Sequence, residues 1–282
     1  MKEFILTPIG RKSYDVIRQA CDTLPMPTFD AILPAGGTID PDFAARVGTT
    51  NKALIKIEGR TVLGRTLDAL NASELVRSTI LIGPEEVLDH PDASSATYRL
   101  SPGETGPDNI YIGLRHVLNE PDPPQKVLVV TTDLPFLTAD LIRQFIHCCP
   151  QDRDICVPLI RESDFHRRFP ESTATFVKLR DDVWTTGCAY IMDVKALEKA
   201  KLHIDRVFEN RKSKMGMAKL LGPAFVLKWL TKRLTLVDVE AKIMSILGCS
   251  GAAVTGSPPE LAYDIDYLDD YEYAVKHVGV DR

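Results

Sequence analysis

The sequence has no run of about 20 apolar residues, the length that a membrane-spanning helix requires. Its start, MKEFILTPIGRKSYDVIRQ, carries charges where a secretory signal needs an unbroken apolar stretch. Together these absences point to a cytoplasmic protein with no membrane partner. There is no basic excess either: 34 Lys and Arg stand against 39 Asp and Glu, a net charge of -5. A dedicated nucleic-acid binder carries the opposite imbalance, so nucleic acid is not expected as a partner. The six cysteines (Cys21, Cys148, Cys149, Cys156, Cys188 and Cys249) form no CxxC pair and are scattered. They read as reduced, structural thiols. His147, Cys148 and Cys149 are adjacent on an expected helix, and neighbours on a helix do not face one site, so no metal is expected there. GxGxxG is missing, which removes the dinucleotide fingerprint. Gly59–Thr66 approaches the P-loop spacing, but Arg65 stands where that loop needs lysine, and a turn opening a helix explains the segment.

What remains is an ordinary globular composition, 44% hydrophobic and 26% charged over 282 residues, long enough to bury a sizeable core. Residues 1–28 read as an N-terminal extension ending in a Pro-punctuated link. Residues 29–282 read as one domain. FDAILPA is a short apolar run feeding Gly36-Gly37, the pattern of a buried strand and turn. A polar loop follows, then ALIKI as a strand candidate and a helix over GRTVLGRTLDALNAS. RSTILIG and KVLVVTTDLP read as strands, GPDNIYIGLRHVLNE and 138–149 as helices, and DICVPLI as the next strand. This alternation implies βαβ units and a mostly parallel sheet, with ligands beyond the carboxyl ends of its strands. ATFVKLR and TTGCAYIMD read as further strands of a mixed sheet. Residues 194–248 are expected to be mainly helical, a subdomain packed on the sheet. Its stretch KMGMAKLLGPAFVLKWLTKRL is basic and amphipathic. The last segment, PELAYDIDYLDDYEYAVKHV, reads as a short strand and a helix.

Three clusters carry chemistry. Leu33-Pro34-Ala35-Gly36-Gly37 ends the first strand, where glycines let backbone amides approach a phosphate or base. Arg46 and Lys52 add positive charge beside it, as phosphoryl or nucleotidyl transfer needs. Asp133 follows the clearest strand, and a hard cation such as Mg²⁺ takes one or two carboxylates plus phosphate oxygens. Asp264 and Asp266 are two apart, so in an extended chain their carboxylates point to one face. A solvated acidic face with Asp269, Asp270 and Glu272 is the plainer alternative for that pair.

These residues carry a resemblance. LPAGG…RVG…NKALIKIEGRTVLGRTLDAL is similar to the opening signature of MobA-like nucleotidyltransferases, the molybdenum-cofactor nucleotidyltransferase-like group. Gly36, Gly37, Arg46, Gly48, Lys52 and Leu54 take the places of its pattern. VVTTDLPFLTADLI resembles that family's strand ending in D-x-P, and DIDYLDDYEYA its closing acidic element. Departures are a longer loop between Gly37 and Arg46, Pro34 and Val47 at positions usually otherwise filled, and Tyr267-Leu268 where Thr-Pro is usual.

The resemblance implies a three-layer, Rossmann-like α/β fold of glycosyltransferase-A type, with helices on both faces of the sheet. It implies a Mg²⁺-dependent enzyme whose partners are an NTP and a phosphorylated small-molecule acceptor, with pyrophosphate released. A homo-oligomer is compatible with it. Lys52 and Arg46 would be catalytic. Leu33, Ala35, Gly36, Gly37, Gly103 and Asn109 would meet the nucleotide, and Asp133, Asp266 and Asp264 the metal. Two alternatives stand beside it: a nucleotide-sugar glycosyltransferase using Asp264-Ile265-Asp266, and a degenerate nucleotide-binding protein.

Overall fold

The structure, a computed structural model, describes residues 28–210 and 213–279. The expected N-terminal extension lies outside the described residues except for its last residue, Thr28.

In chain order the elements are β1 (Phe29–Pro34), α1 (Pro41–Val47), β2 (Lys56–Ile57), β3 (Arg60–Thr61), α2 (Val62–Ala72), β4 (Val76–Ile82), α3 (Glu85–Leu88), β5 (Tyr98–Leu100), α4 (Gly106–Leu118), β6 (Lys126–Val130) and α5 (Ala139–Cys148). Then come β7 (Ile155–Arg161), α6 (Glu162–Arg168), β8 (Val177–Lys178), β9 (Val183–Thr186), β10 (Ala189–Asp193), α7 (Val194–Asn210), α8 (Lys214–Leu221), α9 (Pro223–Leu230), α10 (Leu236–Leu247), β11 (Gly251–Thr255) and α11 (Leu268–His277). No helix among the described residues is long and apolar enough to cross a membrane.

Nine strands form one sheet in the order β5-β4-β1-β6-β10-β7-β9-β8, with β11 on β7. β5, β4, β1 and β6 run parallel, β10 opposes both β6 and β7, and β11 runs with β7. The fold is therefore a mostly parallel α/β sheet. At its centre Ile32 of β1 lies level with Ile80 of β4 and Val129 of β6.

Central strands covered on both faces need apolar residues at every position. β1 and β6 supply them. Ala31, Leu33, Leu128 and Val130 face one layer with Leu63, Leu67 and Leu70 of α2 and Phe145 of α5. Ile32, Val127 and Val129 face the other, with Leu114 and Val117 of α4 and Leu197 of α7. The exception on β1 is Asp30, only 1% exposed, at the amino end. Arg77 grips it through two nitrogens at 2.9 and 2.7 Å, and Ser78 donates a third bond at 2.6 Å. Paired in this way a buried carboxylate is tolerated.

Helix starts follow local chemistry. Thr61, Thr105 and Thr138 each cap a helix by accepting a backbone N–H, at 3.0, 3.2 and 3.4 Å. The Thr61 cap opens α2 across Gly64, so Gly59–Thr66 is a hairpin turn entering a helix, with Arg65 donating to the Ile57 carbonyl at 2.7 Å. Two expectations change. The strand expected over ALIKI is a 3-10 turn, Lys52–Leu54, and a two-residue strand, β2. The residues between Gly37 and Arg46, expected as a loop, include α1, which Asp40 caps by accepting from Asp42 and Phe43 at 3.0 Å each.

Candidate active site

The carboxyl ends of β1 and β6 lie side by side in the middle of the sheet. The chain after β1 turns away with Gly36 and Gly37 exposed. It is brought back by Asn51, whose side chain donates to the Ala35 carbonyl at 3.0 Å and accepts from the Ala53 N–H at 2.9 Å. Lys52 N–H then donates to the Gly37 carbonyl at 2.9 Å. The lysine stem lies along Gly37, where an added Cβ would sit 3.4 Å from Lys52 Cδ. The 17-residue excursion from Ala35 to Asn51 is thus closed at its base. The position of Lys52 does not depend on the length of that excursion.

From there the Lys52 ammonium reaches Asp133, 3.4 Å away, and pairs with Asp266. Asp133 stands three residues past the end of β6. Asp264 and Asp266 arrive from far along the chain. Their segment is laid across the sheet by two backbone bonds: Cys188 N–H to the Leu261 carbonyl at 2.7 Å, and Ile265 N–H to the Asp133 carbonyl at 3.1 Å. It is not the strand expected from sequence but an extended stretch between a 3-10 turn, Pro259–Ala262, and α11. The alternation still holds. Tyr263 and Ile265 are buried in an aromatic cluster with Phe136, Phe165 and Phe169, and the two aspartates between and after them point back to Asp133.

One carboxylate oxygen from each of Asp133, Asp264 and Asp266 lies within 4.8 Å of the others. Burial first, then the charges of Asp133 and Asp266, push the Asp264 carboxyl up to about 7. Burial works against the Lys52 ammonium, but Asp133, Asp266 and Asp264 outweigh it and hold its pKa above the usual lysine value. Oδ1 of Asp133 is buried with no hydrogen-bond partner among the described residues. Three crowded carboxylates, one with an orphaned buried oxygen, form an oxygen-rich set suited to a hard divalent cation.

The nucleotide candidates divide. Leu33 and Ala35 are wholly buried; Ala35 also has its N–H on the Ile82 carbonyl at 2.7 Å and its own carbonyl on Asn51. Neither offers free surface. Gly36 and Gly37 do, and their N–H groups make no hydrogen bond among the described residues. Gly36 faces buried Asn109, where an added Cβ would be 3.3 Å from the amide nitrogen. Asn109 accepts from Gly103 N–H at 2.8 Å. The structure thus gathers Gly36, Asn109 and Gly103. Arg46 is placed differently. It is exposed on the last turn of α1, before Gly48 ends that helix in the left-handed conformation, and makes no ion pair among the described residues.

Sequence reasoning did not single out two positioning residues. Asn51 had a signal, an asparagine immediately before a short helical turn. Asp270 was read within a solvated acidic face. Its carboxylate instead accepts from the N–H groups of Asp266 and Tyr267, at 3.0 and 2.8 Å, and fixes the turn that carries Asp266.

A mostly parallel α/β sheet with glycines, a lysine and converging carboxylates at its carboxyl edge has the architecture of a nucleotide-handling fold, with the ligand edge where the strands end. Residues 31–184 match the model of the MobA-like NTP transferase domain, and the chain belongs to that family of nucleotidyltransferases. Among solved structures, a hypothetical transferase from Thermus thermophilus is similar over 86% of this chain and 99% of its own, with 30% identity and a TM-score of 0.75. The 2-C-methyl-D-erythritol 4-phosphate cytidylyltransferase of Thermus thermophilus shares the fold, with 16% identity, a TM-score of 0.53, and 90% and 100% coverage. A phosphoenolpyruvate guanylyltransferase from Sphaerobacter thermophilus is 33% identical over 92 residues, 32% of this chain. The match spans 44% of that relative's length.

Proposed function

We propose that this protein is a cytoplasmic, Mg²⁺-dependent nucleotidyltransferase that moves an NMP group from an NTP to a phosphorylated acceptor. The observation that carries the reading is the meeting of Lys52, Asp133, Asp264 and Asp266 beside the free amides of Gly36 and Gly37. An oxygen of the acceptor phosphate attacks the α-phosphorus of the NTP. The bond to the bridging oxygen of the β-phosphate breaks, and pyrophosphate leaves with that electron pair.

Each group has a task in this scheme. The Gly36 and Gly37 N–H groups donate to phosphate oxygens. Lys52 holds the charge that grows on the α-phosphate, in a setting that keeps its ammonium protonated. Asp133 and Asp266, with Asp264 beside them, would hold the metal, which when bound neutralises phosphate charge and aligns the displacement. Asn109 and Gly103 border the nucleoside side. Arg46, free at the end of α1, would reach the β- and γ-phosphates. The scheme is mainly one of positioning and charge, so no side chain need form a covalent intermediate.

GTP is the first nucleotide to try, because the Sphaerobacter relative is named for guanylyl transfer. Thermal shifts with GTP, CTP, UTP, ATP and dTTP, each with and without Mg²⁺, test the proposal. One NTP at about 100 times its Kd stabilises the folded state by about 2.7 kcal/mol. A Mg²⁺-dependent rise of several degrees with one base is the expected result. Silence from all five, with a response to a nucleotide-sugar, overturns nucleotidyl transfer in favour of glycosyl transfer.

A further inference from the structure

Beside the acidic cluster lies a cavity of about 530 Å³, within the range of small-molecule sites. Its wall includes Asp264 and Asp266 but none of Gly36, Gly37, Gly103 and Asn109. Most of the wall is apolar: Leu159, Phe165, Leu179, Trp184, Leu236 and Val239. The first four come from β7, α6, the turn after β8, and β9; the last two come from α10. Thr173, Thr175, Thr185, Thr186, Tyr263 and Tyr267 supply neutral hydroxyls.

The charge of the wall restricts what can enter. Among the described residues no lysine or arginine lines this cavity. Two guanidinium groups of neighbouring elements are engaged elsewhere. Arg161 pairs with Asp182 at 3.2 Å and lies over the Trp184 ring at 5.4 Å, and Arg168 pairs with Glu260 at 2.6 Å. A third carboxylate, Asp270, joins Asp264 and Asp266 in the wall. A small acceptor carrying further carboxylates or phosphates would meet repulsion here with no cation to answer it. One phosphate, placed at the acidic cluster with its cation and Lys52, can be held. The rest of the molecule faces mainly apolar side chains and neutral hydroxyls.

We propose, on the reading of the site as a nucleotidyltransferase, that the acceptor is the monophosphate of an apolar aliphatic alcohol. Its phosphate sits at the Lys52–Asp133–Asp266 cluster and its hydrocarbon body lies in the cavity, against the wall that Trp184, Leu236 and Val239 form together. The transfer forms one bond, from an acceptor phosphate oxygen to the α-phosphorus, and releases pyrophosphate. The product is a nucleoside diphosphate ester of that alcohol. A phosphate monoester is largely dianionic at neutral pH, so the attack needs no base.

Trp184 gives a readout independent of turnover. The chain has two tryptophans. The other, Trp229, is 56% exposed on α9 and lines no part of the cavity. In the full-length Trp229→Phe protein with Mg²⁺, n-alkyl monophosphates of four to ten carbons are titrated against Trp184 fluorescence, and pyrophosphate release is followed with the NTP. Each methylene buried should tighten binding about fourfold until the cavity is full, with KM falling in step and kcat nearly constant. Val239→Lys should flatten that chain-length dependence and leave the Mg²⁺–NTP thermal shift unchanged. The shift also reports that the variant folds.

Binding that is indifferent to chain length overturns the proposal. So does tighter binding and faster turnover of 3-phosphoglycerate than of decyl phosphate. Chain-length-dependent binding without pyrophosphate release from any NTP supports the apolar ligand but removes nucleotidyl transfer. Pyrophosphate release that ignores chain length supports the transfer and removes the apolar acceptor.

Discussion

The carboxyl edge of the central sheet and the helices after β10 follow opposite rules. At the sheet, Ile32, Leu33, Leu63 and Val130 have no exposed surface, and Lys52 and Asp133 are held by bonds to Gly37 and Ile265. In the helical region α9 and α10 contain no fully buried residue, and Leu227, Trp229, Leu230 and Val237 are more than half exposed. Charges that must meet within a few ångströms need a rigid base, because a displacement of about 1 Å can cost about 10²-fold in rate. An apolar wall needs less precision. Helices such as α10 that contribute Leu236 and Val239 to the cavity can remain loosely packed elsewhere.

Substitutions can break this contrast, beginning where the effect is largest. Lys52→Ala or Asp133→Ala should lower kcat by about 10²–10³-fold, the cost of one transition-state charge contact of about 3–4 kcal/mol. Circular dichroism and gel filtration should show both variants folded, and near-normal turnover in either would remove that residue from the mechanism. Ile32→Ala, at the centre of three strands, should cost about 2–5 kcal/mol in urea unfolding. A loss below about 1 kcal/mol would mean the sheet centre is not the rigid base assumed here. Asn51→Ala should cost about 1–3 kcal/mol by orphaning the buried Ala35 carbonyl. It should also lower kcat, because Asn51 sets the turn that carries Lys52; stability loss with unchanged kcat would make its role structural alone.

The acidic cluster predicts a pH signature. The folded-state pKa of Asp264, about 7, lies above the ordinary aspartate value near 4. The contribution of this group to stability is therefore full below about pH 4 and lost as pH rises through 7. In chelator the melting temperature should fall between pH 5 and 8. A divalent cation, which favours the charged carboxylate, should stabilise more at pH 8 than at pH 5. Asp264→Asn should flatten both dependences, and a melting temperature in chelator that rises over that window would contradict the assignment. The smallest effect is expected on the helical side. Leu227→Ala, at a position 62% exposed, should change stability by less than about 0.5 kcal/mol. A loss above about 2 kcal/mol would show that this face is covered by something in solution.

Much of the sheet was legible because its signals are local. AILP and VLVV are apolar runs, which central parallel strands require, and the helices α1, α2 and α4 between them carry their own caps. β11 was missed because GAAVT is small and weakly apolar; its pairing with β7 supplies what its composition does not. The ALIKI segment was misread because its apolar residues anchor a turn rather than alternate along a strand. Leu33 and Ala35 matched the opening motif in sequence, yet their side chains belong to the core. Spacing alone does not distinguish a motif's buried frame from its exposed backbone.

The sequence by itself determined the alternation of the central strands and helices, the glycine pair after β1, and a family signature strong enough to expect nucleotide chemistry. Those features depend on residues near one another in the chain. Only the tertiary structure decided that Lys52 meets Asp266, 214 residues away, and that Asp270 steadies the turn that carries Asp266. It alone decided that the wall beside that meeting point is mainly apolar and, among the described residues, carries no lysine or arginine. Such facts rest on long-range backbone bonds, Cys188 to Leu261 and Ile265 to Asp133, and on an aromatic cluster that joins Phe136, Phe165 and Phe169 to Tyr263. Local propensity does not encode which distant surfaces will pack together, and here that packing sets where the charges fall.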